Sequence, residues 1–252
     1  MRIEVLTSGI WQTTSTIIEH RGACLVIDPA YFPRELAAIA ARTAELGRCE
    51  AVVFTHGHWD HVMGHTALPD APVWLSATLD RAIATADPRA AKFLDAARDF
   101  DARWYVPRAG YAWPAHRRGL ADREQLDGFA ARTLHLPGHS VDGLGLVVDG
   151  VLLCGDYLSP CEIPFVDDAR AYHATLLRLL DELAALREVI PGHGPRMPGA
   201  DAAAIARADL AYLDALLAAR DREAALAVSW PRADGVAGMI DHHRDNVATL
   251  FA

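Results

Sequence analysis

The stretch Phe54–His65, FTHGHWDHVMGH, sets four histidines and an aspartate directly behind the apolar run Ala51–Thr55, AVVFT. An apolar run of that length reads as a buried strand. The loop that leaves a rigid strand is a common place for binding and catalytic groups. His56, His58, Asp60 and His61 follow the pattern H-x-H-x-D-H. So short a run on a loop directs alternate side chains toward one point. Neutral imidazole with carboxylate suits zinc or iron better than magnesium or calcium. Alone, the four would also fit a solvated loop, so the reading depends on partners further along.

Those partners recur at three more strand ends. LHLPGHS carries His139 behind a strand and a Pro-Gly turn, LLCGDY carries Asp156 behind an apolar strand, and VIPGHGP carries His193 in the same setting. A carboxylate buried without a partner at such a position is costly. Four strand ends thus deliver seven ligand-type side chains.

The ordered set HxHxDH, PGHS, GD and PGHG resembles the metallo-β-lactamase superfamily, and the resemblance runs from the N-terminal strands to PGHG. It implies an α/β fold, the αββα metallo-β-lactamase sandwich of two mixed β-sheets flanked by helices. It also implies a binuclear site in which His56, His58 and His139 hold one metal, Asp60, His61 and His193 hold the second, and Asp156 bridges them. Two Zn2+ are the expected cofactor, with iron or manganese as alternatives. Metals so held lower the pKa of bound water, polarise a carbonyl and stabilise a leaving anion. Asp60 is additionally placed to orient the hydroxide or pass on its proton. The family's H-x-G-G is here His61-Val62-Met63-Gly64, a departure that touches loop packing more than ligation.

Residue types narrow the choice within the family. Asp156 stands where the cysteine-dependent zinc β-lactamases would need their cysteine, and Cys154 reads as buried packing two positions away. His58 argues against a flavo-diiron pattern. What remains resembles the glyoxalase II-type thioester and ester hydrolases, in which a metal-bound hydroxide attacks the carbonyl. The Gly-Cys-Gly-Arg-Phe-like glutathione-binding stretch of that group is absent; YLSPCEIPFVDD follows Asp156 instead. Tyr157, Phe165 and Trp59 are the candidates for a substrate wall, with Tyr157 a hydrogen-bond donor to an oxyanion; core packing is the competing reading of all three. A lactonase and a mononuclear iron persulfide dioxygenase are the rival activities, and a metal-stabilised, non-enzymatic interaction protein is a fourth.

The remaining sequence bounds the class. With 252 residues, 52% hydrophobic and 23% charged, the chain is long enough for a real core and is expected to be one domain over residues 1–252, built from two similar halves. A formal charge of -9 and the absence of basic clusters argue against a nucleic-acid or anionic-membrane partner. A small-molecule substrate is therefore expected, and a homodimer contact is left open for the C-terminal helices. Four cysteines without a CxxC pair, a strand-like N-terminus and no membrane-length apolar run suggest a cytoplasmic protein. Along the chain, the pattern predicts strands at 3–6, 15–20, 23–28, 51–55, 73–76 and within 129–154. Helices are predicted from Pro33 to about Leu46, over 77–100, over 169–186, over 201–223 and from about Val236. The aromatic segment Trp104 to Trp113 is a candidate lid. His65 reads as structural, His135 as a strand-end residue or a neighbour of the site, and His20, His116, His173, His242 and His243 as surface or helix histidines.

Overall fold

The computed structural model describes residues 1–232 and 238–251, and the chain divides into two compact units, Met1–His135 and Leu136–Ala252. The strands fall into two sheets that mix parallel and antiparallel neighbours, with helices against them.

In the first unit, β1 (Arg2–Thr7), β2 (Thr14–His20) and β3 (Ala23–Ile27) form an antiparallel meander. After α1 (Pro33–Leu46) the chain returns as β4 (Arg48–Val53), parallel to β3. A short helix α2 (Trp59–Val62) and a 3-10 turn, Met63–Ala67, lead to β5 (Val73–Ser76). Helices α3 (Ala77–Ala84) and α4 (Pro88–Trp104) precede β6 (Arg117–Leu120), which completes the sheet order β1-β2-β3-β4-β5-β6. The apolar ACLVI of β3 has the near-continuous burial of an interior strand. Its pairing with β4 slips once: Cys24 faces Cys49 but Leu25 faces Ala51, so Glu50 is an extra, bulged residue. Leu36 and Ile39 of α1 pack on Ile17, Cys24 and Val26. A second cluster joins Val52, Phe54, Val73 and Leu75 to Tyr31, Met63 and Leu79. The unit ends with the pair β7 (Gln125–Leu126) and β8 (Ala131–His135).

Helix α1 starts where its sequence says it should. Pro33 occupies the first turn, where its missing N–H costs nothing, and Glu35 reaches back to the Phe32 and Tyr31 amides at 3.2 Å. The helix expected over 77–100 is two helices. Ala86 adopts a left-handed backbone (φ 53°), Asp87 caps the Arg89 amide and Pro88 opens a new first turn. Strand β6 falls in the aromatic, arginine-containing region where the pattern predicts none. The candidate lid is fastened within its own unit: Tyr111 and Trp113 pack on the Val52–Leu75 cluster, and Trp113 Nε1 donates to the Ala90 carbonyl at 3.2 Å.

In the second unit, β9 (Leu144–Val148) and β10 (Val151–Leu153) are joined by the turn at Asp149-Gly150, both left-handed. Helix α5 (Ala169–Leu183) returns the chain to β11 (Glu188–Ile190), parallel to β10, and β12 (Met197–Pro198) lies antiparallel to β11. Asp168 caps α5 by accepting from the Arg170 and Ala171 amides at 2.9 and 3.0 Å. Its buried stripe is Tyr172, Leu176, Leu179 and Leu183. The single helix expected over 201–223 ends earlier, as α6 (Gly199–Ala218), and Asp221 caps a separate α7 (Arg222–Leu226). The last helix, α8, is Met239–Leu250; the expected start at Val236 lies outside the described residues.

Candidate metal centre

The end of β4 delivers the HGHWDH loop. His56 and His61 are buried, Asp60 is 5% exposed, and His58 is half-buried. His56 Nε2 and His58 Nδ1 approach to 3.0 Å, and the His56 and His61 rings lie with centroids 4.3 Å apart. His61 Nε2 stands 3.2 Å from Asp60 Oδ2. Imidazole nitrogens and a carboxylate oxygen gathered this closely form a donor set of the kind that holds zinc or iron.

The loop is held from behind by a residue that the sequence motif does not announce. Asp28, at the end of β3 with φ 46°, accepts from the Thr55 amide at 2.8 Å and the Thr55 hydroxyl at 2.5 Å, and pairs with His61 Nδ1 at 3.0 Å. A carboxylate on the far nitrogen of a histidine fixes its ring and tautomer and leaves the other nitrogen for a metal. In sequence, Asp28 reads only as half of an Asp-Pro break. Thr13, in the β1–β2 connection, shares its hydroxyl proton between the Ile10 carbonyl at 2.8 Å and Asp60 Oδ2 at 3.3 Å, and no local motif marks it.

In the second unit, Asp156 stands between two histidines. Its Oδ2 is 3.1 Å from His139 Nε2 and its Oδ1 is 3.4 Å from His193 Nε2. Each carboxylate oxygen thus faces a different imidazole nitrogen, which fits a bridging ligand. The approach needs a glycine at 192, because a Cβ there would meet Asp156 Oδ1 at 2.3 Å. His139 Nδ1 pairs with the Phe165 carbonyl at 2.9 Å, and the Glu162 carboxylate lies 4.0 Å from His193 Nδ1. Burial works against a charged His139, but the adjacent Asp156 carboxylate holds its pKa above the ordinary histidine value. Metal binding at this residue therefore competes with a proton.

The three aromatic candidates take different places. Trp59 is half-buried in a cluster with Trp11, Tyr31 and Phe100, at centroid distances of 5.2, 4.9 and 4.5 Å. Phe165 is half-buried, with its ring 5.8 Å from His139 and 5.5 Å from His242. Tyr157 is 2% exposed; its hydroxyl donates to the Pro137 carbonyl at 2.7 Å and accepts from the His139 amide at 3.3 Å. That hydroxyl, the expected oxyanion donor, is engaged in this structure with the loop carrying His139. Cys154 is buried and its thiol donates to the Tyr157 carbonyl, as its reading as packing requires. His65 turns inward, with Nδ1 on the Val62 carbonyl at 2.9 Å. His243, expected as a surface or helix histidine, is on a helix: it lies on the inner face of α8, fully buried against Tyr212.

The comparisons with known proteins agree with this arrangement of elements. The metallo-beta-lactamase superfamily matches residues 8–193. The hydroxyacylglutathione hydrolase of Aeromonas hydrophila is 29% identical over 167 residues, covering 65% of this chain and 54% of its own length. This chain therefore spans about half the length of that relative. The hydroxyacylglutathione hydrolase GloC of Haemophilus influenzae is 28% identical, over 77% of this chain and 91% of its own. Among solved structures, TTHA1623 in a di-iron-bound form is 28% identical with a TM-score of 0.59, covering 78% of this chain and 95% of its own. The metallo-beta-lactamase family protein TTHA1429 from Thermus thermophilus covers 98% of this chain and 91% of its own, with a TM-score of 0.70 at 23% identity, and shows the shared fold. The expected α/β fold class is thus the one observed, and the chain belongs to the metallo-β-lactamase superfamily.

Proposed function

We propose that the protein is a metal-dependent hydrolase of small-molecule thioesters or esters. In this reading His56, His58 and His139 hold one metal, Asp60, His61 and His193 hold a second, and Asp156 serves both, as the order of the superfamily motifs implies. The observation that supports it most is the carboxylate of Asp156, with one oxygen toward His139 and the other toward His193. When bound, two divalent metals lower the pKa of water toward neutrality and polarise a scissile carbonyl. No side-chain nucleophile is then required. The chain's own residues hold the ligands: Asp28 fixes His61, the Phe165 carbonyl fixes His139, and the Thr13 hydroxyl lies against Asp60.

The relatives named hydroxyacylglutathione hydrolase support a thioester as the substrate class. The segment after Asp156 differs from the glutathione-binding stretch, which favours a carrier other than glutathione. Zinc is the metal proposed, and the di-iron form of TTHA1623 makes iron the comparison to run. No described helix is long and apolar enough to cross a membrane.

The test is metal content by mass spectrometry on protein expressed with zinc and iron both supplied, followed by a panel of acyl-thioesters, esters and acyl-lactones. The expected result is about two zinc per chain with thioester or ester turnover, and loss of both metal and turnover in Asp156→Ala. One iron per chain with oxygen uptake would overturn the hydrolase. Full metal content and unchanged turnover in Asp156→Ala would overturn the bridging assignment.

A further inference from the structure

Residues 159–168 follow the candidate bridging aspartate and carry Phe165, yet they form neither helix nor strand. Their backbone groups therefore need partners from elsewhere, since buried N–H and C=O groups are costly to leave unmade. The partners come from α8. Asn246 Oδ1 accepts from the Val166 amide at 3.0 Å, and Asn246 Nδ2 donates to the Pro164 carbonyl at 2.6 Å. Nearer the start of the segment, the Ile163 amide donates to Met239 Sδ at 3.4 Å.

The residue between those two fastened positions is Phe165. Its carbonyl faces His139 Nδ1 at 2.9 Å, and the opposite nitrogen of the same ring faces Asp156 at 3.1 Å. A peptide pinned by one side chain on both sides has little freedom to turn its carbonyl. Asn246 is itself fixed, fully buried and with Nδ2 also donating to the Tyr212 hydroxyl at 3.1 Å. Tyr212 pairs in turn with His243 Nδ1 at 2.9 Å. Both ends of the Asn246 amide are thus used.

We infer that Asn246 of α8 is a positioning residue for the metal centre, clamping residues 164–166 so that the Phe165 carbonyl holds His139 in the orientation a metal requires. The inference rests on His139 being a ligand, as proposed above. It gives the C-terminal helix a part in the site without contact with substrate.

The test is zinc affinity of the full chain by competition with a chromophoric chelator, with cobalt substituted for zinc in a parallel spectroscopic series. Outer partners of metal-ligating histidines contribute roughly 10–100-fold in affinity, so Asn246→Leu, one contact further out, is expected to weaken binding about tenfold. Asn246→Asp keeps the acceptor for Val166 and loses the donor to Pro164; it should weaken binding by a smaller factor, and it serves if the leucine variant does not fold. Leu183→Ala trims the buried stripe of α5 and leaves every contact of Asn246 in place. It is expected to lower thermal stability with unchanged zinc affinity and an unchanged cobalt spectrum, whereas both Asn246 variants shift the spectrum. Wild-type affinity and spectrum in a folded Asn246 variant, beside a weakened His139→Ala, would overturn the inference. Wild-type affinity in His139→Ala would instead overturn the ligand assignment beneath it.

Discussion

Asp28 lies 33 positions before His61 in the chain and yet determines how that imidazole presents itself. Replacing it with alanine removes an acceptor shared by the Thr55 amide, the Thr55 hydroxyl and His61. Asp28→Ala is expected to lower metal affinity by roughly 10–100-fold. Thr55→Val, which removes only the hydroxyl, should cost much less, and chelator competition on both variants checks the order. At this scale the candidate ligands were legible because each sits in a short local motif behind an apolar strand. Asp28, Thr13 and the Phe165 carbonyl were not, because their roles depend on pairings between distant segments. The burial of His243 within its helix was not legible for a related reason. His243 shares the buried face of α8 with Met239, Asn246 and Val247, and two polar members disguise that stripe.

Elements were legible where an apolar run coincides with a local start or stop signal. Helix α1 has both, with Pro33 at its first turn and Gly47 after its last. The expected helices over 77–100 and 201–223 each proved to be two, split where Asp87-Pro88 and Asp221 cap new starts; the alanine-rich composition hid the breaks. The turn after α2 shows which of its residues is constrained. Met63, in place of the family's first glycine, is simply buried in the core, whereas a Cβ on Gly64 would meet the Pro29 carbonyl oxygen at 1.8 Å. Overpacking of this kind costs typically about 1–3 kcal/mol, and backbone leaves less room to yield than a side chain does. Gly64→Ala should therefore lower the urea midpoint clearly, while Met63→Leu, a swap of similar volume, should change it little.

Across the molecule, stability is tied to pH through Asp209. This carboxyl on α6 is fully buried, and burial pushes its pKa up to about 7 even with Arg232 Nη2 at 2.5 Å. An unfolded aspartate titrates near about 3.9. The folded chain thus holds this proton more tightly than the unfolded chain, and the contribution to stability is fully present at low pH and declines as pH rises from about 4 to about 7. Urea unfolding at pH 5 and pH 7.5 is expected to show the wild type losing more stability over that interval than Asp209→Asn. Equal losses would mean that other groups carry the dependence. The α/β class was legible from strand ends and motif order, while the division at His135 was not, because no linker composition marks it.

The slip between β3 and β4 carries a lesson about chain length. Glu50 is the residue with no opposite number, flanked by the Cys24–Cys49 and Leu25–Ala51 pairs. Deleting it would bring those pairs into direct succession and leave Val52 and Val53 against their present partners. Deleting Val52 would draw Val53, the last residue of β4, back by one and turn its side chain to the other face, just before the HGHWDH loop. The strand therefore has one spare residue at its bulge and none beyond it, so losses of a single codon are tolerable at Glu50 and ruinous a few residues later.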